Sequence, residues 1–117
     1  LLLEDQFLIA MDAEDMLSAL GARKVVVCSS VGEAMAALDS ALPDLALLDI
    51  NLGSETSMPV AERLRDLGIP FAFATGYDEG VLQADNAIPA PIIRKPYSGA
   101  AIAAGLIEAY SAADRRR

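Results

Sequence analysis

Short, nearly continuous apolar runs recur along the chain at residues 1–3, 24–28, 45–48, 71–74 and 92–94, with helix-like stretches between them. Runs of this kind, apolar at successive positions rather than at alternate ones, belong to strands buried on both faces. A sheet buried on both faces must be covered by helices on both sides, which is the logic of alternating strand and helix in an α/β protein. Right-handed crossovers then place every strand's carboxyl end on one edge. The expected fold is a doubly wound, five-stranded parallel sheet flanked by helices, and ligands of such sheets sit at that edge.

The connecting segments carry their own signals. Residues 7–20 place Phe7, Leu8, Met11, Leu17 and Leu20 at spacings that recur on one helical face, and Gly21 ends the pattern. Ser30 with Glu33 three residues on reads as a capping box opening a helix to about Ala41. Pro59 suits the first turn of a helix that Gly68 closes, and Ser98 caps a last helix to about Ala112. Residues 78–87 are a weak helix at best, because Gly80, Asp85 and Asn86 lower its propensity. A single domain over residues 1–112 with a short basic tail at 113–117 accounts for the chain. No initiator Met is present, which leaves open both a stand-alone protein and a piece of a longer one.

Composition removes several function classes. A net charge of −8, from 17 acidic and 9 basic residues, lacks the basic footprint that DNA phosphates require. With no His and one Cys, a His/Cys zinc site, a Ser-His pair and an internal disulfide are all excluded. Cys28 sits in an apolar run and reads as a buried inert thiol. No apolar stretch is long enough to span a membrane, and the opening leucines are cut off by Glu4 and Asp5, so no signal peptide is readable. The compartment expected is the cytoplasm.

The chemistry gathers at the strand ends. The first run ends in Glu4-Asp5, the third in Asp49 followed by Ile50-Asn51, the fourth in Thr75-Gly76 and the fifth in Lys95-Pro96. Taken singly, an acid at a strand end is most often a helix cap, Thr75 a turn hydroxyl and Lys95 a solvated lysine. Taken together they are three carboxylates, a hydroxyl and one of only two lysines, brought by topology to one place. Clustered carboxylates repel one another and call for a proton or a cation. Hard oxygen donors with open positions suit Mg²⁺ and a phosphate.

In that order and on those elements, Glu4-Asp5, Leu47-Leu48-Asp49, Thr75 and Lys95-Pro96 resemble the receiver domain of a two-component response regulator, over nearly the whole chain. Residues 69–77, Ile-Pro-Phe-Ala-Phe-Ala-Thr-Gly-Tyr, are similar to the Phe-Ala-Thr-Gly-Tyr subgroup typical of alphaproteobacteria and often paired with kinases of the HWE type. The resemblance implies a flavodoxin-like receiver fold of strand order 2-1-3-4-5, in which Asp49 takes a phosphoryl group from the phosphohistidine of a sensor histidine kinase. It implies Mg²⁺ held by Asp5, Asp49 and the backbone carbonyl of Asn51, with Glu4 acting through a bound water. Thr75 and Lys95 would meet the phosphoryl oxygens, the Lys95-Pro96 bond would be cis, and Tyr77 would shield the phosphoryl group from water. The implied activity is self-catalysed acceptance and hydrolysis rather than turnover, read out through contacts with a downstream protein the residues do not name.

One departure stands out. Ile92 occupies the position three before the lysine where many receivers carry an aromatic ring, so segment 76–90 is the expected reporter. A degenerate receiver acting as a phosphorylation-independent interaction module is the alternative, disfavoured because the whole residue set is present. An aspartate-nucleophile phosphatase of the haloacid-dehalogenase type needs a titratable acid two residues after Asp49, where this chain has Asn51.

Overall fold

A computed structural model describes residues 1–76, 88, 90–95 and 97–115. Among these residues the elements run β1 (Leu2–Leu3), α1 (Phe7–Ala19), β2 (Val27–Cys28), α2 (Val31–Ser40), β3 (Ala46–Asp49), α3 (Met58–Leu67), β4 (Phe71–Thr75), β5 (Ile92–Arg94) and α4 (Gly99–Arg115). The strands form one sheet of order β2-β1-β3-β4-β5, with every pair parallel. The architecture is the one read from the apolar runs, and the strand order is the one the resemblance implies. No helix among the described residues is long and apolar enough to cross a membrane.

The sheet separates two apolar layers. Leu3, Leu48, Phe71 and Phe73 point with Val60, Ala61 and Leu64 of α3 and Ala34 and Leu38 of α2 into one cluster. Leu2, Leu47, Ala72, Ala74 and Ile93 point with Ala10 and Ala13 of α1 and Ile102 of α4 into the other. Successive residues of one strand thus feed opposite layers, as strand geometry requires. β3 and β4 are buried at every position, whereas β2 and β5 at the edges bury only Cys28 and Ile93.

Local chemistry sets the helix ends. Ser30 Oγ accepts from the Glu33 amide at 3.1 Å, but the return bond differs from a capping box. Glu33 Oε1 accepts from the Ser29 amide at 2.8 Å, one residue earlier than the Ser30 amide expected. Gly68 ends α3 in the left-handed region at φ 73°, where a Cβ would be strained. Ser98 Oγ accepts from the Ala101 amide at 3.1 Å and opens α4, which continues to Arg115, beyond the expected Ala112.

Two further expectations are corrected. The run 24–28 forms a strand only at Val27–Cys28, opposite Leu2–Leu3 of β1, with the Val26 carbonyl also accepting from the Leu2 amide at 2.9 Å. The predicted apolar face of α1 is not its buried face. Phe7 and Leu8 are 73% and 77% exposed, Met11 and Leu20 are exposed, and the residues buried in the helix are Ala10 and Ala13. Met16 and Leu17 pack partly buried at the same layer. Alanine packs closer to the sheet than a large side chain does, and that close approach decides which face turns inward.

Candidate functional site

Four elements deliver the polar residues to the carboxyl edge of the sheet. Glu4 directly follows β1, and its amide continues the ladder by donating to the Cys28 carbonyl at 2.9 Å. Asp49 is the last residue of β3 and pairs in register with Ala74 of β4. Thr75 ends β4, and its carbonyl accepts from the Lys95 amide at 2.9 Å, which fixes the start of the Lys95 side chain beside the site. The apolar residues before each of these positions anchor the strands, so the polar ends are held by the core rather than by loops.

The polar groups are deeply enclosed. Glu4 and Asp49 are 1% and 2% exposed, and Thr75 is buried as well. Lys95 Nζ donates to Asp49 Oδ2 at 2.9 Å and lies 2.8 Å from Glu4 Oε1, so one ammonium serves two buried carboxylates. Glu4 Oε2 also accepts from the Gln6 amide at 3.2 Å, so the capping role open to any acid at a strand end is filled alongside the ion pair. Asp5 is exposed at the rim, and its Oδ2 lies 3.9 Å from the place a Cβ on Gly53 would occupy. Glu4, Asp5 and Asp49 each offer an oxygen within 4.8 Å of the others. Asn51 is exposed, and its Oδ1 accepts from the Gly53 amide at 3.0 Å, turning the side chain into its own loop. Thr75 Oγ1 donates to the Gly76 carbonyl at 3.3 Å.

Electrostatics follow from the enclosure. Burial pushes the Asp49 carboxyl up to about 7, and the adjacent Glu4 adds to the rise that Lys95 only partly offsets. Burial alone would lower Lys95, but hydrogen bonds to Glu4 and Asp49 and their charges overcome it and raise the group, so the ammonium stays charged. Asp49 Oδ1 is buried without a hydrogen-bond partner among the described residues, whereas Glu4 Oε1 is met by the Lys95 ammonium. A buried carboxylate oxygen with no donor, within reach of a second buried carboxylate and a third at the rim, fits a hard divalent cation.

The site residues expected from sequence therefore divide in two. Glu4, Asp5, Asp49 and Lys95 converge directly, while Thr75 and Asn51 stand at the ends of the adjacent segments. Tyr77, Pro96 and nearly all of segment 76–90 lie outside the described residues, and with them the shielding, cis-bond and reporter expectations. Ile92 is exposed on β5. Two residues were missed. Glu55 Oε2 accepts from the Val31 amide at 3.1 Å and ties the loop after Asp49 to the start of α2, a contact with no local signal. Tyr97 has a buried hydroxyl that burial, and then the charges of Glu4 and Asp49, push up, and its position two residues after Lys95 was a signal available in the sequence.

No protein-family model matches the chain. The curated phyllosphere-induced regulator PhyR of Methylorubrum extorquens is 35% identical over 122 residues, covering 100% of this chain and 46% of that protein. The chain thus spans less than half of that regulator. The solution structure of SdrG from Sphingomonas melonis is 36% identical, with a TM-score of 0.80 over 92% of this chain and 91% of that one. A response regulator receiver protein from Sinorhizobium medicae is 25% identical, with a TM-score of 0.79 over 96% of this chain and 93% of that one. The chain belongs to the response regulator receiver domains. In a receiver domain, the edge that gathers Glu4, Asp5, Asp49 and Lys95 is where its signalling chemistry is to be sought.

Proposed function

We propose that this receiver domain is a phosphoacceptor, with Asp49 as the nucleophile and a sensor histidine kinase as donor. The observation that carries the reading is the placement of Asp49. It ends a central strand, keeps one oxygen on the Lys95 ammonium at 2.9 Å, and leaves Oδ1 without a hydrogen bond among the described residues. A degenerate receiver would be expected to have lost part of this set. In the step proposed, an Asp49 oxygen attacks the phosphorus of a phosphohistidine. The P–N bond breaks, the imidazole nitrogen keeps the electron pair and takes a proton from solvent water, and an acyl phosphate remains on Asp49.

Negative charge on the transferring group has to be met at fixed positions. Lys95 supplies a point charge within reach of Asp49, and Thr75 supplies a hydroxyl at the end of the neighbouring strand. Mg²⁺ would be held by Asp5, Asp49 and the Asn51 backbone carbonyl, with Glu4 acting through water, and would supply charge neutralisation. The exposed Asp5 suits a direct ligand, since Glu4 is already engaged by Lys95 and the Gln6 amide. Turnover would be limited to acceptance and self-catalysed hydrolysis. The Phe-Ala-Thr-Gly-Tyr stretch further supports a place in that alphaproteobacterial subgroup, an HWE-type kinase as donor and a cytoplasmic setting. The output would be a changed contact with a downstream protein.

Incubation with a small phosphodonor such as acetyl phosphate and Mg²⁺, followed by intact mass, tests the reading. Wild type should gain one phosphoryl group and Asp49→Asn none. A gain retained by Asp49→Asn, or none in wild type, overturns it.

A further inference from the structure

The segment between β3 and α3 carries Asn51 and is held by its own backbone bonds. Asn51 pairs with Thr56 in an antiparallel bridge, the Leu52 amide donates to the Glu55 carbonyl at 2.9 Å, and Gly53 turns the chain at φ 86°. The Ser57 amide donates to the Ile50 carbonyl at 3.1 Å at the base of the turn, and the Leu52 side chain is buried in the layer of α2 and α3. The outer part, residues 53–56, is exposed. Among the described residues, one side-chain hydrogen bond ties that outer part to another element: Glu55 Oε2 accepts from the Val31 amide at 3.1 Å, across 24 positions of sequence. Val31 opens α2, where the first amides have no partner inside the helix. Ser30 Oγ serves the Glu33 amide and Glu33 Oε1 the Ser29 amide, so the Val31 amide is the donor that remains for Glu55. The positive end of a helix favours a carboxylate there.

We infer that Glu55 is a positioning residue of the Mg²⁺ site: its bond to Val31 fastens the turn that carries Asn51, so that the Asn51 backbone is already ordered when the cation binds. The inference rests on the phosphoacceptor reading, in which the Asn51 carbonyl is a cation ligand. Glu55 precedes Thr56, and Thr56 is paired with Asn51, so freeing one arm of the turn frees the other. The same turn brings Gly53 beside Asp5, whose Oδ2 lies 3.9 Å from the place of a Cβ on Gly53. β1, which leads into Glu4 and Asp5, lies between β2 and β3 in the sheet, and the Glu55 bond joins the segments that follow those two flanking strands. Order established before binding is not charged against affinity. Coupling of this kind is reciprocal, so the cation must also strengthen the Glu55–Val31 bond.

Wild type, Glu55→Gln and Glu55→Ala are titrated with Mg²⁺ and followed by backbone amide NMR shifts. Glutamine keeps an oxygen that can accept from Val31 and removes the charge, whereas alanine removes both. Glu55→Ala should bind Mg²⁺ about 3- to 10-fold more weakly, the size of one hydrogen bond, and Glu55→Gln should stay within about 2-fold of wild type. In metal-free protein, hydrogen exchange at the Leu52 and Ser57 amides should quicken in Glu55→Ala and much less in Glu55→Gln. In wild type, Mg²⁺ should slow exchange at the Val31 amide. Unchanged Mg²⁺ affinity in Glu55→Ala, equal losses in the two variants, or a Val31 amide indifferent to Mg²⁺ overturns the inference alone, provided wild type binds Mg²⁺ and is phosphorylated on Asp49. A wild type that binds no Mg²⁺ and takes no phosphoryl group overturns the phosphoacceptor reading and this inference with it.

Discussion

The two faces of the sheet are built from different sizes of residue. Toward α2 and α3, β4 presents Phe71 and Phe73, whose rings meet edge to face at 5.5 Å between centroids, and the helices add Leu38, Val60 and Leu64. Toward α1 and α4, the same strand presents Ala72 and Ala74 in one cluster with Ala10 and Ala13, and on the neighbouring β5 the Ile93 side chain comes up against Gly105 of α4. One layer is filled by large side chains and the other by close approach. The difference teaches what each layer tolerates: the first should suffer most from removing atoms, and the second from adding them. The carboxylates continue the alternation, since Glu4 and Asp49 follow Leu3 and Leu48 and so share the parity of Leu2 and Leu47 on the close-packed side.

The largest effect should come from the thick layer. Phe73 is 1% exposed and central to it, and Phe73→Ala should cost about 3–5 kcal/mol. Chemical denaturation at constant m-value measures the loss. A cost below about 1 kcal/mol would show that the layer closes around the gap and is not filled as described.

The polar edge sharpens the comparison through pH. Asp49 titrates at about 7 in the fold against 3.8 as its ordinary value, so between those values the native state binds more protons than the unfolded state. Stability then falls as pH rises through that window, and above it the full penalty of a buried carboxylate is present. Asp49→Asn removes the ionisation. In metal-free protein at pH 8 the variant should therefore be more stable than wild type by about 1–3 kcal/mol, with the difference vanishing near pH 4. Parallel urea titrations at the two pH values check it, and an equal difference at both would mean that Asp49 does not carry the penalty.

The thin layer predicts the opposite kind of sensitivity. A Cβ on Gly105 would stand 2.5 Å from Cγ1 and Cδ1 of the buried Ile93. Gly→Ala within a helix ordinarily gains about 1 kcal/mol, yet overpacking costs about 1–3, so Gly105→Ala should lose about 1 kcal/mol net. Removing both obstructing atoms should restore the ordinary sign, making Gly105→Ala in an Ile93→Ala background neutral or stabilising relative to Ile93→Ala. Thermal unfolding of the four proteins in this cycle gives the answer. A simple gain for Gly105→Ala in the wild-type background would remove the argument for close approach.

Sequence and structure agree where a single physical rule controls the outcome. The two-sided sheet and the convergence of Glu4, Asp5, Asp49 and Lys95 were legible, because continuous apolar runs call for helices on both faces and the crossover rule then fixes one edge, while the strand order came with the family resemblance. What escaped depended on neighbours distant in the chain. The run 24–28 has strand propensity throughout, but its only partner is the short β1, so Val27–Cys28 alone pair with Leu2–Leu3. Glu55 finds the Val31 amide at the start of α2, and nothing local to Glu55 marks it. Tyr97 reads alone as an apolar residue starting a helix, and only the folded position of Glu4 and Asp49 gives its hydroxyl a context. The face of α1 failed for a different reason: ranking residues by hydrophobicity favours Phe7, Leu8 and Met11, whereas a close-packed layer ranks them by size.

That last point yields the smallest expected effect and the most direct test of the thin layer. If α1 docks through Ala10 and Ala13, then Phe7 and Leu8, 73% and 77% exposed, contribute almost nothing to burial. Replacing both with glutamine, a residue of similar helix propensity to leucine and no worse than phenylalanine, leaves no cavity and adds no buried polar group. The double variant Phe7→Gln/Leu8→Gln should therefore stay within about 0.5 kcal/mol of wild type, as surface substitutions do. The same two side chains on a conventionally amphipathic helix would be core residues, and losing them would cost several kcal/mol. Urea denaturation separates these outcomes cleanly, because the gap between them exceeds the error of extrapolation. A loss above about 1 kcal/mol would mean that α1 turns its large residues inward, and the contrast between the two faces of the sheet would fall with it.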